Sequence, residues 1–194
     1  MKALQLLKIK KLYFGYQDIA RALNISLNSA RVVASRYTSA GILIRIKRNL
    51  YVLREKWTAM SIEQRFAIAN LIQVPSYVSL MTALSYYEIT TQIQQNFIES
   101  IAIRRSKEIK VEDTVFHYTK IKPSLYFGFI KMRGFFMAEP EKAFVDSVYL
   151  HSLGRLCLDF SSLSFDKFAR NKVYEFAKQF PSKTQELVKK YEYS

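Results

Sequence analysis

The chain has 194 residues, 49% of them hydrophobic, and a formal net charge of +14. That composition supports a packed core and excludes wholesale disorder, and no apolar run approaches the ~18 residues that mark a membrane-spanning helix. A single cysteine, Cys157, cannot close an internal disulfide, so nothing points to an oxidising compartment and the cytoplasm is the expected location.

Charge is unevenly spread. Residues 1–57 hold twelve Lys and Arg against Asp18 and Glu55, a net +10, whereas residues 58–194 hold eighteen against fourteen, a net +4. A basic domain of this size attracts polyanions, of which nucleic acid is the commonest. The plainer alternative is a soluble domain that happens to be basic.

The opening stretch, "MKALQLLKIKKLYF", lacks an uninterrupted apolar region and a small-residue cleavage site, so it reads as a helix of the mature protein. Leu4, Leu7 and Ile9 would form its apolar stripe. "GYQDIARALNIS" follows, with Ile19, Ala20 and Leu23 at helical spacing. Asn24 suits a left-handed helix end, Ile25 fills the turn, and Ser26 is a good N-cap for the next helix.

That helix, "LNSARVVASRYTSA", turns Ala30, Val33, Ala34 and Tyr37 inward. Its outward positions are Asn28, Ser29, Arg31, Val32, Ser35 and Arg36, with no acid among them. Arg can fork to guanine, Asn to adenine, and short Ser side chains let a backbone approach. Gly41 stops the helix, and "ILIRI" and "LYVL" then pair as a hairpin around Lys47, Arg48 and Asn49. Helix, helix, tight turn, helix and basic hairpin is the order of a winged helix-turn-helix, whose second paired helix enters the major groove while the first crosses the backbone. Gln17 on the first helix, Asn28, Ser29, Arg31, Val32, Ser35 and Arg36 on the second, and Lys47 and Arg48 on the wing are the candidate DNA contacts. Arg45 can be read more plainly as snorkelling from a strand face, and some winged helices bind protein.

The charge bias ends at Trp57, which makes residues 54–62 the expected linker and sets the domains at 1–56 and 57–194. "WTAMSIEQRFAIANLIQVPSYVSLMTALSYYEI" reads as a helix through Leu71, a break at Pro75 and a second helix from about Ser79. "FIESIAIRR", "VFHYTKIK" and "LYFGFIKMRGFFMA", with a turn at Arg133 and Gly134, are strand-like. "EPEKAFVDSVYLHS" is a helix with Pro140 in its first turn. Phe165, Phe168, Ala169, Val173, Phe176, Ala177 and Phe180 make a helical stripe ended by Pro181, and a last amphipathic stretch follows. The fold class is therefore α+β: an N-terminal winged helix-turn-helix, then a domain with an antiparallel sheet and packed helices. The many Phe and Tyr of the second domain read as a packed core, or as a protein-binding surface.

The succession "YVSLMTALSYYEI", "FIESIAIRRSKEI", "VFHYTKIKPSLYFGFIKM" and "MAEPEKAFVDSVYL" resembles the AbiEi-type antitoxin and predicted transcriptional-regulator family of bacteria. The resemblance spans about residues 5–155, and its most specific part is residues 140–146, P-E-K-A-F-V-D. It implies a DNA-binding autorepressor and antitoxin of a type IV toxin–antitoxin, or abortive-infection, module. The winged helix would bind inverted repeats at its own promoter, with two copies on double-stranded DNA. The partner would be a nucleotidyltransferase-like toxin, countered without need of direct binding. The motif residues carried over in the second domain are Arg104, Arg105, Lys107, Lys122, Glu141, Lys142 and Asp146. Two positions depart from the family: Asn49 stands where the wing turn often has Gly, and Glu139 where Ser often precedes the helix proline.

Enzymatic readings find little footing. The five glycines form no phosphate loop, and His117 and His151 have no ligand spacing, so neither a cofactor nor a metal is expected. Cys157 reads as a buried structural thiol. Glu139, Glu141 and Asp146 are the one acidic cluster, and Glu139 and Asp146, two helical turns apart, could form a two-carboxylate metal site, but a helix-dipole complement with Glu141 and Lys142 at the surface is the simpler reading. The competing functional class is a non-enzymatic protein- or RNA-binding module, or a solitary DNA-binding regulator without a toxin.

Overall fold

The computed structural model of the protein describes residues 5–92 and 95–192. It divides into two compact units, Met1–Ile62 and Glu63–Ser194. Among the described residues no helix is long and apolar enough to cross a membrane.

In the first unit, Gln5 and Leu6 are helical, but the helix lasts no further. Leu4 lies outside the described residues. Leu6 and Ile9 are buried while Leu7 is exposed, so the expected stripe through Leu7 is corrected. Helix α1 (Tyr16–Leu23) buries Ile19 and Leu23 and ends at Asn24, whose φ of 51° is left-handed. The short amide side chain makes that conformation tolerable. Ser26 caps α2 (Leu27–Ser39), accepting from the Ser29 N–H at 3.1 Å. Strands β1 (Leu43–Lys47) and β2 (Leu50–Leu53) pair antiparallel, with an irregularity between Arg45 and Lys47. Phe14 and Tyr51 exchange backbone hydrogen bonds of 3.0 and 2.9 Å, which adds a third short line to this small sheet. Leu6, Phe14, Ile19, Leu23, Ala34 and Tyr51 belong to one buried cluster.

The stretch expected as a linker is not extended. Helix α3 (Arg54–Thr58) lies against both strands of the hairpin, and Trp57 is buried. Lys56 donates to the carbonyls of Ile9 (2.6 Å) and Lys11 (3.0 Å), and Arg54 to that of Gly41 (2.6 Å). The division therefore falls after Ile62 rather than after residue 56, because these side chains tie the segment back onto the first unit.

The second unit is built on a six-stranded sheet of β3 (Ser76–Val78), β4 (Phe97–Ala102), β5 (Lys107–Val111), β6 (Thr114–Lys120), β7 (Phe129–Lys131) and β8 (Phe136–Ala138), in the spatial order β5-β6-β4-β3-β8-β7. The expected antiparallel sheet is corrected to a mixed one: β4 runs parallel to β6, and β3 parallel to β8. Two strands escaped the sequence reading. β3 is three residues long, and β5, "KEIKV", is mostly charged, as suits an edge strand.

Side chains alternate across the sheet. The Tyr118 hydroxyl donates to the Ala69 carbonyl of α4 (Ile62–Ile72), placing that helix on one face. Tyr77 meets α6 (Pro140–Ser152) from the other. α5 (Leu80–Tyr86) links β3 to the loop before β4. The expected stripe from Phe165 to Phe180 is helical only in α7 (Arg170–Ala177); Phe165 sits in a 3-10 turn and Phe168 just after it. Phe165 and Phe168 nonetheless pack on Phe144 of α6, at 5.7 and 5.0 Å between ring centroids. α8 (Ser182–Glu192) closes the chain.

Candidate functional site

In the first unit the outward face of α2 is as the spacing predicts. Asn28, Ser29, Arg31, Val32, Ser35 and Arg36 are all exposed, and Val32 keeps 68% of its surface in solvent. An aliphatic residue that exposed offers apolar contact without a polar partner. No carboxylate lies on this helix. The Arg31 guanidinium sits 5.7 Å from the Tyr16 ring centroid, and that of Arg36 lies 5.3 Å from Tyr37. Both distances are within cation–π range, and both arginines remain exposed.

The hairpin tip is tied to α1. Asn49 adopts a φ of 59°, and its amide oxygen accepts from the Tyr16 N–H at 2.7 Å, capping the N-terminus of α1. Gly15 makes this approach possible, because a Cβ there would stand 2.8 Å from the Asn49 oxygen. The Tyr16 hydroxyl also accepts from that of Tyr51 at 3.1 Å. Burial pushes the Tyr51 phenol up to about 12, assisted by Tyr16. Tyr16 thus joins three elements, touching Arg31 of α2, Asn49 of the tip and Tyr51 of β2. Lys47 and Arg48 are exposed at that tip. Gln17 is exposed and lines an open cleft of about 640 Å³ with Lys11, Gly15, Asp18 and Asn49. Lys11 pairs with Asp18 at 2.6 Å, and Asp18 also accepts from the Gly15 N–H at 3.0 Å, so this acid is committed locally. The arrangement presents amide, hydroxyl and guanidinium donors on a helix beside a cationic turn, which suits base edges and phosphates.

The seven motif positions of the second unit separate into two groups. Arg104 and Arg105 follow β4, and Lys122 follows β6; Ala102 pairs with Lys120, so all three leave the sheet at the same end, exposed. Lys107 is half-buried, its ammonium 5.3 Å from the Tyr118 ring. Glu141, Lys142 and Asp146 are buried, which corrects the surface reading of Glu141 and Lys142. Glu141 accepts from the Ala169 N–H at 3.1 Å and lies 3.8 Å from Lys172, so it orders the entry to α7.

Lys142 and Asp146 form an ion pair one helical turn apart. The Tyr77 and Ser79 hydroxyls each donate to Asp146 Oδ2 at 2.9 Å, and Lys142 also donates to Tyr77 at 2.9 Å. The rings of Tyr77, Phe127 and Phe180 lie 4.9–5.4 Å from the ammonium. Burial lowers the Lys142 pKa, offset by Asp146, and raises that of Asp146, offset by Lys142 and the two hydroxyls. Gly128, at a φ of 68°, lets the Lys142 stem pass: a Cβ would lie 3.0 Å from its Cγ and Cδ. The separated fragments Tyr77-x-Ser79, Phe127-Gly128 and Lys142-x-x-x-Asp146 therefore meet at one point. Residue-by-residue reading missed Tyr77, Ser79 and Gly128 as partners, although all three stand in the quoted motifs.

Glu99 was also missed. It is buried on β4 and accepts from the Met81 N–H at 3.1 Å, and burial pushes its carboxyl up to about 7. Cys157 is exposed rather than buried, because it lies in the loop after α6. Among the described residues no group of three or more His, Cys, Asp or Glu could hold a metal ion.

No family model matches the chain, and no curated protein matches it. Among solved structures the chain is similar to the RV2827C protein from Mycobacterium tuberculosis, with a TM-score of 0.60 and 9% identity over 98% of this chain and 75% of that one. At that identity the likeness speaks for the fold alone.

Proposed function

We propose that this protein is a DNA-binding transcriptional regulator in which residues 1–62 act as a winged helix-turn-helix. The observation that carries this reading is the acid-free, exposed face of α2 beside a cationic hairpin tip that is fixed to the preceding helix by Asn49. In this reading α2 is the recognition helix in the major groove and the hairpin is the wing. Arg31, Arg36, Asn28 and Ser35 face base edges; Lys47, Arg48 and Gln17 meet the backbone. The net +10 of this piece supplies long-range attraction to the duplex.

The resemblance of the second unit's motifs to AbiEi-type antitoxins extends the reading. It makes the protein a cytoplasmic, non-enzymatic autorepressor and antitoxin of a type IV module, binding inverted repeats as two copies and countering a nucleotidyltransferase-like toxin.

A titration of the full chain against the duplex upstream of its own reading frame, and against a scrambled duplex, tests the DNA reading. The expected result is preference for the native duplex and a log affinity that falls with log salt at a slope of about −0.9 per phosphate contact. Equal affinity for both duplexes, or a flat salt response, would sink it. Co-expression with an adjacent nucleotidyltransferase reading frame tests the antitoxin half, which predicts restored growth.

A further inference from the structure

The second unit carries a cavity of about 700 Å³ that the DNA-binding reading does not use. It is lined by Glu63 of α4, Tyr86 at the end of α5, and Lys131, Met132, Arg133 and Phe135 of the β7–β8 hairpin. Its size falls within the range of small-molecule sites, about 300–1,000 Å³.

Its base is aromatic and held in place. Phe135 is buried, and Tyr86 meets it edge to face at 6.4 Å. Phe66 braces both rings, at 5.4 Å from Phe135 and 5.7 Å from Tyr86. Met132 adds a polarisable thioether, which packs well on rings. The rim is cationic. Lys131 and Arg133 are exposed, and among the described residues neither holds an acid in an ion pair. The hairpin that carries them is anchored: the Phe136 N–H donates to Asn70 of α4 at 2.6 Å, and the Met132 N–H to the Phe135 carbonyl at 2.8 Å. Gly134, at a φ of 96°, makes the turn that leaves Arg133 at its tip.

An apolar wall, formed by half-buried Tyr86 and Met132 over buried Phe135, under two exposed cations matches a ligand with a ring at one end and an anion at the other. We propose that this cavity binds a mononucleotide, with the base against Tyr86 and Met132 and the phosphate on Arg133 and Lys131. Arg133 can fork to two phosphate oxygens, and aromatic rings accept any base face. The proposal does not rest on the DNA-binding reading, since every lining residue lies in the second unit.

Isothermal titration of the full-length protein with AMP, adenosine and inorganic phosphate tests it. The expected result is that AMP binds at least tenfold more tightly than either fragment. In the Lys131→Gln/Arg133→Gln variant, AMP should fall to the level of adenosine. Both substitutions are on exposed side chains, and an unchanged melting curve checks the fold. Tyr86→Leu should weaken AMP and adenosine alike, at least fivefold. Arg31→Ala/Arg36→Ala should leave AMP binding unchanged while losing the operator, which separates this site from the DNA interface. Three results would overturn the proposal: no AMP binding up to millimolar concentration, AMP no tighter than phosphate alone, or loss of AMP binding in the Arg31→Ala/Arg36→Ala variant.

Discussion

Lys142 and Asp146 form an ion pair in which neither side chain is exposed to solvent. Two charges taken out of water gain mutual attraction but lose hydration, so the pair adds little against an apolar replacement, whereas half a pair is costly. Lys142→Met alone is expected to destabilise by about 3–5 kcal/mol, because Asp146 is left buried with only the Tyr77 and Ser79 hydroxyls. The double variant Lys142→Met/Asp146→Leu should recover much of that loss. Urea denaturation of the wild type, Lys142→Met, Asp146→Leu and the double variant checks this, and a double variant as unstable as the two single losses added together would contradict it.

Gly128 sets the path of the Lys142 stem. An added Cβ is strained twice, by the φ of 68° and by contact with Lys142 at 3.0 Å. Gly128→Ala should therefore lower stability by about 1–3 kcal/mol. Gly154 has the same φ of 68° but open space around its Cβ position, so Gly154→Ala isolates the backbone share and should cost less. Melting temperatures of the two variants give the comparison.

Asn49 has two duties, the left-handed turn and the cap on Tyr16. Asn49→Gly keeps the turn and loses the cap; Asn49→Ala loses both. The expected order of stability is wild type, then Gly, then Ala, with the Ala variant about 1–2 kcal/mol below wild type. Thermal denaturation reads it directly, and equal Gly and Ala variants would remove the turn from the explanation.

On the proposed DNA interface, Arg31 and Arg36 are read as sequence-specific and Arg48 as phosphate-directed. Arg31→Ala or Arg36→Ala should weaken operator binding by about 1–3 kcal/mol and relax preference for sequence. Arg48→Ala should weaken all duplexes alike and reduce the salt slope by about one contact. Gel-shift titrations on native and scrambled duplexes separate the two patterns.

Glu99 makes stability depend on pH. Burial raises its carboxyl from 4.5 to about 7, so the folded protein holds this proton more tightly than the unfolded chain does. Its contribution is fully present below about pH 4.5 and is lost as pH rises towards 7. The loss is on the order of 3 kcal/mol, at about 1.4 kcal/mol per unit. Glu99→Gln cannot ionise yet still accepts from the Met81 N–H. Its stability relative to wild type should therefore rise between pH 4.5 and 7. A wild-type to Gln difference that is constant across that window would exclude the linkage.

Much of the first unit is written locally. Asn24, Ser26 and Gly41 act through their own backbones and near neighbours, so their effects can be read from adjacent residues. The acid-free face of α2 follows from helical spacing alone. The second unit is less legible. β3 and β5 are too short or too charged to signal themselves, and whether strands run parallel depends on which segments become neighbours, a long-range outcome. Lys142 illustrates the limit: a lysine beside a glutamate in a helix's first turn reads as surface. Only the arrival of Tyr77, Ser79, Gly128 and Phe180 from distant parts of the chain removes it from water.

By itself, then, the sequence determined the helix–turn–helix–hairpin order of the first piece, its basic excess and the outward residues of α2, because each follows from short-range periodicity, capping and charge. Tertiary structure alone decided the mixed sheet, the burial of the Lys142–Asp146 pair, the Asn49 cap on α1 and the cavity beside Arg133. Each of these joins residues far apart in the chain, and no local pattern encodes the desolvation and hydrogen bonding that such meetings produce.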